Sequence, residues 1–136
     1  MPGPDRNSLE PIRIDLQRAQ SVLVEAELTR HPGERYLTAH RAALGVAAAV
    51  LALHGVPVRA RQNVWSVVAT ALPELAEWAA FFAATQPSLR VCPSLHVPGV
   101  SDREADDLIR DAQAFADLVG RRLDAVGQIT RPGETG

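Results

Sequence analysis

The chain contains no lysine. All 14 of its basic side chains are arginine, set against 16 acidic ones, for a formal net charge of −2 over 136 residues. A global basic field that would gather nucleic acid without regard to sequence is therefore missing. Arginine also suits bidentate phosphate recognition, but the heavy use of alanine points to coding bias as the simpler source. A single cysteine, Cys92, excludes an intramolecular disulfide. The sequence around it shows neither a basic setting nor a helix start clearly, so an inert thiol is the plain reading. The longest unbroken apolar run, "AALGVAAAVLAL" over 42–53, has 12 residues, short of the roughly 20 that a bilayer requires. The opening "MPGPDRNSLEP" lacks a basic-then-apolar leader pattern. These absences lead to the expectation of a cytoplasmic protein that does not engage a membrane.

Other chemistries are missing as well. His31, His40, His54 and His96 show no zinc-like grouping. Glu-x-x-His pairs of the kind that hold two irons are lacking. No phosphate loop, nucleophile elbow or DNA-reading helix is recognisable. "ELAE" (Glu74, Glu77) and "EADD" (Glu104, Asp107) have the spacing of carboxylates that hold magnesium against a nucleotide. Acidic residues three apart are also the ordinary dress of a solvated helix face, and Glu104 has a second explanation below. The expectation is no metal and no cofactor.

What is present is helical periodicity. No run alternates with period two for long enough to be a strand. Leu9, Ile12, Leu16, Ala19, Leu23 and Ala26 recur at gaps of 3 and 4 and predict a helix over 8–30. Pro11 is tolerated in its first turn, and "HPG" at 31–33 ends it. Tyr36, His40, Ala43, Ala47, Val50 and His54 mark a second helix from about 34, ended by Gly55. Its alanines make it thin, which suits a central position where neighbours approach closely. A third pattern covers 62–85, and Pro73 must kink or divide it. Beyond Pro73, "WAAFFAA" is apolar nearly all round, so it is either wholly internal or faces another protein. This stretch supports a homodimer.

The last helix is the best marked. Ser101 and Glu104 form an S-x-x-E capping box. Asp102, Glu104, Asp106 and Asp107 crowd its positive end, and Arg121 and Arg122 its negative end. Ala105, Leu108, Ala112, Phe115 and Val119 form its buried stripe. The whole predicts an all-α fold, an antiparallel up-and-down bundle of four helices, or five if Pro73 splits the third. One domain spans 8–126, between a disordered start (1–7) and a disordered tail (127–136).

The segments "RYLTAHRAALGVAAAVLALHG", "SVVATALPELAEWAAFFA" and "VSDREADDLIRDAQAFADLV" resemble the second, third and last helices of a HEPN domain. The resemblance covers about 8–125. More narrowly, "NVWSVV…PELAEWAAFFA" with "READDLIRDAQAF" looks like a small stand-alone actinobacterial HEPN subgroup of unassigned activity. HEPN domains are helical bundles that often dimerise; many are metal-independent RNases and many are inactive binding or scaffolding modules. In active members an arginine and a histidine stand just ahead of the last helix, and that pair falls on Arg90 and His96 here. The resemblance implies that His96 would move protons at an RNA 2′-hydroxyl or leaving oxygen. Arg90 would hold the phosphate. Val91 and Pro98, however, stand where active members usually carry a polar residue and an aromatic. Pro93 and Pro98 also prevent one regular helix there.

A second arginine–histidine match, Arg35 with His40, lies on a helix where the two point about 140° apart. A hydrogen-bonded core role is the plainer one for His40. Arg59 and Arg61 in "VRARQ" form a small basic loop that either contacts phosphate or faces water. Binding candidates are thus Arg59, Arg61, Arg35 and His40, and catalytic candidates are Arg90 and His96. The primary expectation is a non-catalytic HEPN-type module, a homodimer associated with RNA, a nucleotide or a protein partner. The alternatives are a metal-independent endoribonuclease and a purely structural interaction protein.

Overall fold

The computed structural model describes residues 6–86 and 99–129. Among them five α-helices and one 3-10 turn account for the fold. They are α1 (Arg6–Glu27), α2 (Pro32–Leu53), α3 (Val64–Ala71), α4 (Ala76–Thr85) and α5 (Asp102–Ile129). The turn, Pro73–Leu75, separates α3 from α4. Pro73 therefore divides the third pattern rather than merely bending it, one of the two outcomes open to a residue without an N–H. The carbonyl of Leu72 still accepts a hydrogen bond from the Leu75 N–H at 2.8 Å, so the break leaves that group satisfied.

The direction of each helix follows from its partners. Leu9 and Arg13, near the start of α1, lie beside Gly127 near the end of α5. Arg13 also pairs with Asp124 at 3.3 Å, and Glu27 accepts from Gln113 at 2.9 Å, so α1 and α5 are antiparallel. Arg35 at the start of α2 meets Asp102 at the start of α5, so those two run the same way. The α3–α4 arm returns from the end of α2 to Thr85, which meets Tyr36 and His40. The bundle is up-and-down, and α2 and α5, which run in the same direction, touch across the centre. Such contact needs small side chains. Ala39, Ala43 and Ala47 on α2 and Ala105, Ala112 and Ala116 on α5 are all fully buried. The thinness of α2 has the predicted consequence.

The stripes on α1 and α5 are buried as their spacing requires: Leu9, Leu16, Ala19, Leu23 and Ala26 on one, Ala105, Leu108, Ala112, Phe115 and Val119 on the other. Trp65, Phe82 and Phe115 fill the gap between the α3–α4 arm and α5. Trp65 stacks on Phe82 with centroids 5.0 Å apart, and Phe82 meets Phe115 at 5.4 Å. Losing such a buried ring costs about 3–5 kcal/mol.

Several boundaries differ from the periodicity. The first helix stops at Glu27 rather than near 30, and the chain turns with Thr29 bonded to Ala26. His54, read as part of the α2 seam, is exposed, because α2 ends at Leu53 and His54 is already its cap. Gly55 follows at φ +68°, with Gly55 N–H to Ala52 C=O at 3.1 Å and Val56 N–H to Leu51 C=O at 2.8 Å. This is the Schellman arrangement that its sequence position predicts. The last helix continues to Ile129, past the expected start of the tail. The reason is tertiary. Gly127 lies against α1, where an added Cβ would stand 3.8 Å from Leu9 Cδ1.

Length and composition alone would let α2 cross a membrane, because its 22 residues tolerate few charges. The 12-residue run understated it by ignoring the turns on either side. In the bundle, 61% of its most apolar window is buried against the other helices.

Candidate functional site

The residues around the start of α2 tie together what the chain keeps far apart. The Arg35 guanidinium is buried, with 7% of the residue exposed. Its Nη1 donates to the carbonyls of Thr29 and Arg30 at 3.2 and 3.1 Å, closing the turn after α1. Its Nη2 donates to the carboxylates of Asp102 and Asp106 at 3.1 and 3.2 Å and to the Asp102 carbonyl at 3.3 Å. A planar fork is what permits one side chain to serve two directions at once, and lysine has none. Arg35 Nε is buried without a partner.

One residue on, the Tyr36 hydroxyl donates to the Thr85 carbonyl at 2.9 Å. Burial, and then the nearby Glu104 carboxylate, push the Tyr36 phenol above its ordinary value of 10.0. His40 reaches the same residue: its Nε2 lies 2.9 Å from Thr85 Oγ1. The threonine hydroxyl is 3.0 Å from the Phe81 carbonyl, to which it donates. With that hydrogen committed, Nε2 of His40 carries its own proton and donates, and Nδ1 is left as a buried bare acceptor. Burial holds the His40 imidazole down at about 4, so it is neutral near pH 7.

Arg35 and His40 thus diverge as their helical angle requires. Neither faces solvent, and both are occupied by internal partners. Together with Tyr36 they fix the last residue of α4 and the first residue of α5. These are the stems of segment 87–98. Arg90 and His96, the predicted catalytic pair, lie in that segment, outside the described residues, as does Cys92. Ser101 completes the second stem. Its Oγ accepts from Glu104 N–H at 3.1 Å while Glu104 Oε1 accepts from Ser101 N–H at 3.3 Å, the predicted capping box.

Arg59 and Arg61 sit in an exposed loop between α2 and α3. The loop is closed by a bond from Arg59 N–H to Gln62 Oε1 at 2.7 Å, and Arg61 adopts φ 72°. These arginines are remote from the stems, at the other end of α2. The two acidic pairs are also separately engaged. Glu74 accepts from Arg122 at 2.9 Å, which holds its carboxyl below the usual range, and Glu104 serves the cap. Among the described residues no three histidine, cysteine or acidic side chains gather as metal ligands would.

Two surface features bear on function and were not read from the sequence as such. The helix α4 is not internal. Only Ala79 and Phe82 are buried on it, while Ala80, Phe81, Ala83 and Ala84 are exposed. Its "WAAFFAA" signal was visible, and the structure rules out the wholly internal placement by leaving one side of the helix exposed. Beside it, a cavity of about 350 Å³ opens between α4 and α5, lined by Glu77, Trp78, Phe81 and Asp111. The participation of Asp111 left one trace in the sequence. It stands four residues after Asp107, a like-charged pair that a helix surface disfavours.

A bundle of this topology, with an acidic capped last helix and a hydrogen-bonded frame ahead of it, defines a class of small all-α modules. The family model for SAV_6107-like HEPN matches residues 26–120, more than half of the chain. The chain belongs to this HEPN family. Searches of the curated proteins and of the solved structures found no match.

Proposed function

We propose that this HEPN module is a non-catalytic interaction domain that works as a homodimer, with the outer face of α4 as its self-association surface. The observation that carries the reading is the exposed apolar run Ala80, Phe81, Ala83 and Ala84 on a helix whose other face is already buried. Phe81 is 37% exposed, and an aromatic anchor amid small residues is a common centre of protein interfaces. Electrostatics favour a protein over a polyanion as the thing bound. The second stem opens onto Asp102, Glu104, Asp106 and Asp107, all exposed and all within the first turns of α5. Arg35 and Arg110 pair with three of these carboxylates, and the balance of charge at that end is still acidic, which disfavours phosphates. The mass of the purified protein in solution tests the dimer: twice the chain mass supports it and a monomer rejects it.

One observation favours a second reading, a metal-independent endoribonuclease. Arg35, Tyr36 and His40 hold both stems of the segment that carries Arg90 and His96, and a fixed frame is what a paired acid–base and phosphate clamp would need. Incubation with mixed RNA in EDTA separates the two readings. The interaction domain predicts no cleavage above a blank. Cleavage that disappears in His96→Ala would replace it with the nuclease.

A further inference from the structure

The cavity between α4 and α5 brings together two aromatic and two acidic residues. Trp78 packs on Phe115, centroids 5.4 Å apart and planes at 25°, and Phe81 meets Phe82 edge-on at 5.1 Å. The first of these contacts joins α4 to α5, and the second lies within α4. Trp78 and Phe81 line an open groove of about 350 Å³, large enough for a small molecule or one long side chain. Glu77 from α4 and Asp111 from α5 complete the lining. Neither carboxylate has an ion pair among the described residues.

Asp111 is also in an unfavourable place. It is half-buried, and Asp107 lies one turn before it with the same charge. Burial, and then Asp107, raise its carboxyl above the ordinary 3.8, with Arg110 opposing only in part. Arg110 itself is directed to Asp107, at 3.6 Å. A cation in the cavity would offset the repulsion from Asp107 and give the half-buried carboxylate a partner. Aromatic faces attract cations through their quadrupole, with Trp the strongest. A carboxylate from each of two helices would accept its N–H groups. Planarity further selects guanidinium over ammonium, because a flat ion stacks on a ring and presents its edge donors to the carboxylates at the same time.

We propose that the cavity lined by Glu77, Trp78, Phe81 and Asp111 is a binding site for a guanidinium cation. Two sources share that chemistry: a free small molecule, and an arginine side chain of a second copy of this chain, in which every lysine-or-arginine position is arginine.

The test uses butylguanidinium, with neutral butylurea as its isostere, titrated into the intact protein while tryptophan emission is followed. The chain has two tryptophans. Trp65 is buried, and Trp78 is half-buried at the cavity. A saturable change with a midpoint near or below about 1 mM is expected for butylguanidinium, with at least tenfold weaker response to butylurea. Glu77→Gln and Asp111→Asn should each weaken binding about tenfold with unchanged helical circular dichroism, and Trp78→Phe should remove the signal. Glu77 is exposed, so its variant is a probe that does not disturb the core. Light scattering in the same titration separates the sources: a dimer split by butylguanidinium identifies the second copy, and an unchanged mass identifies a free ligand. Absence of a saturable change to about 20 mM, or equal response to butylurea, overturns the site. A monomer that binds butylguanidinium would reject the dimer and keep the site, whereas a dimer that ignores it does the reverse.

Discussion

Arg35 Nη2 lies 3.1 Å from Asp102 Oδ1, joining the start of α2 to the start of α5 across 67 residues of chain. The same guanidinium holds the carbonyls that end α1. One buried fork thus fastens three helices at one end of the bundle. Arg35→Met keeps the stem and removes the fork, leaving three carbonyls and two carboxylates without their donor. The expected loss is about 3 kcal/mol, read as a fall in urea midpoint. Arg35→Lys should recover less than half of it, because one ammonium cannot reach both helix ends. A loss under about 1 kcal/mol in the methionine variant would show that water replaces the fork without cost.

His40 gives the protein an acid sensitivity with a defined window. In the folded state its imidazole titrates at about 4, depressed by burial from 6.5. The unfolded chain therefore takes up this proton first as the pH falls. Stability from the neutral, buried ring is fully present above about pH 6.5 and is lost progressively as the pH drops toward 4. The contribution is on the order of 2–3 kcal/mol. His40→Gln removes this window, so the stability gap between the native protein and the variant should narrow by that amount from pH 7 to pH 4. Parallel stability–pH curves for the two would contradict the buried neutral ring.

The cap at the start of α5 is a reciprocal pair, Ser101 with Glu104. Ser101→Ala should cost about 1 kcal/mol and should speed hydrogen exchange in the first turn of α5 before the rest of the bundle is affected. Exchange that rises uniformly along α5 would mean that the cap is not a local lock.

The helices and their stripes were legible because burial against one neighbour leaves a period in the sequence. Leu9 to Ala26 and Ala105 to Val119 state their faces without help from tertiary structure. The capping box and the Gly55 terminator were legible for a similar reason, since both are local. What was hidden depends on residues distant in the chain. Asp102 and Asp106 read as partners of a helix dipole, and nothing adjacent to them points to Arg35. His40 was legible as a core histidine, but its partner Thr85 is 45 residues away. The α4 composition stated that it is apolar all round without saying which half faces out. That was decided by Phe82 packing against Trp65 and Phe115, on the side where Ala79 is also buried. The predicted pair Arg90 and His96 lies outside the described residues, so the frame around it is known from its stems.

The central claim is that the outer face of α4 joins two copies of this chain. Multi-angle light scattering at roughly 50 µM on the native protein and on Phe81→Asp tests it most directly. Phe81 is exposed, so the charge is placed on the surface and the fold should persist by circular dichroism. The account predicts twice the 14.6 kDa chain mass for the native protein and 14.6 kDa for the variant. A native protein of 14.6 kDa, or a dimer that Phe81→Asp leaves intact, would contradict it.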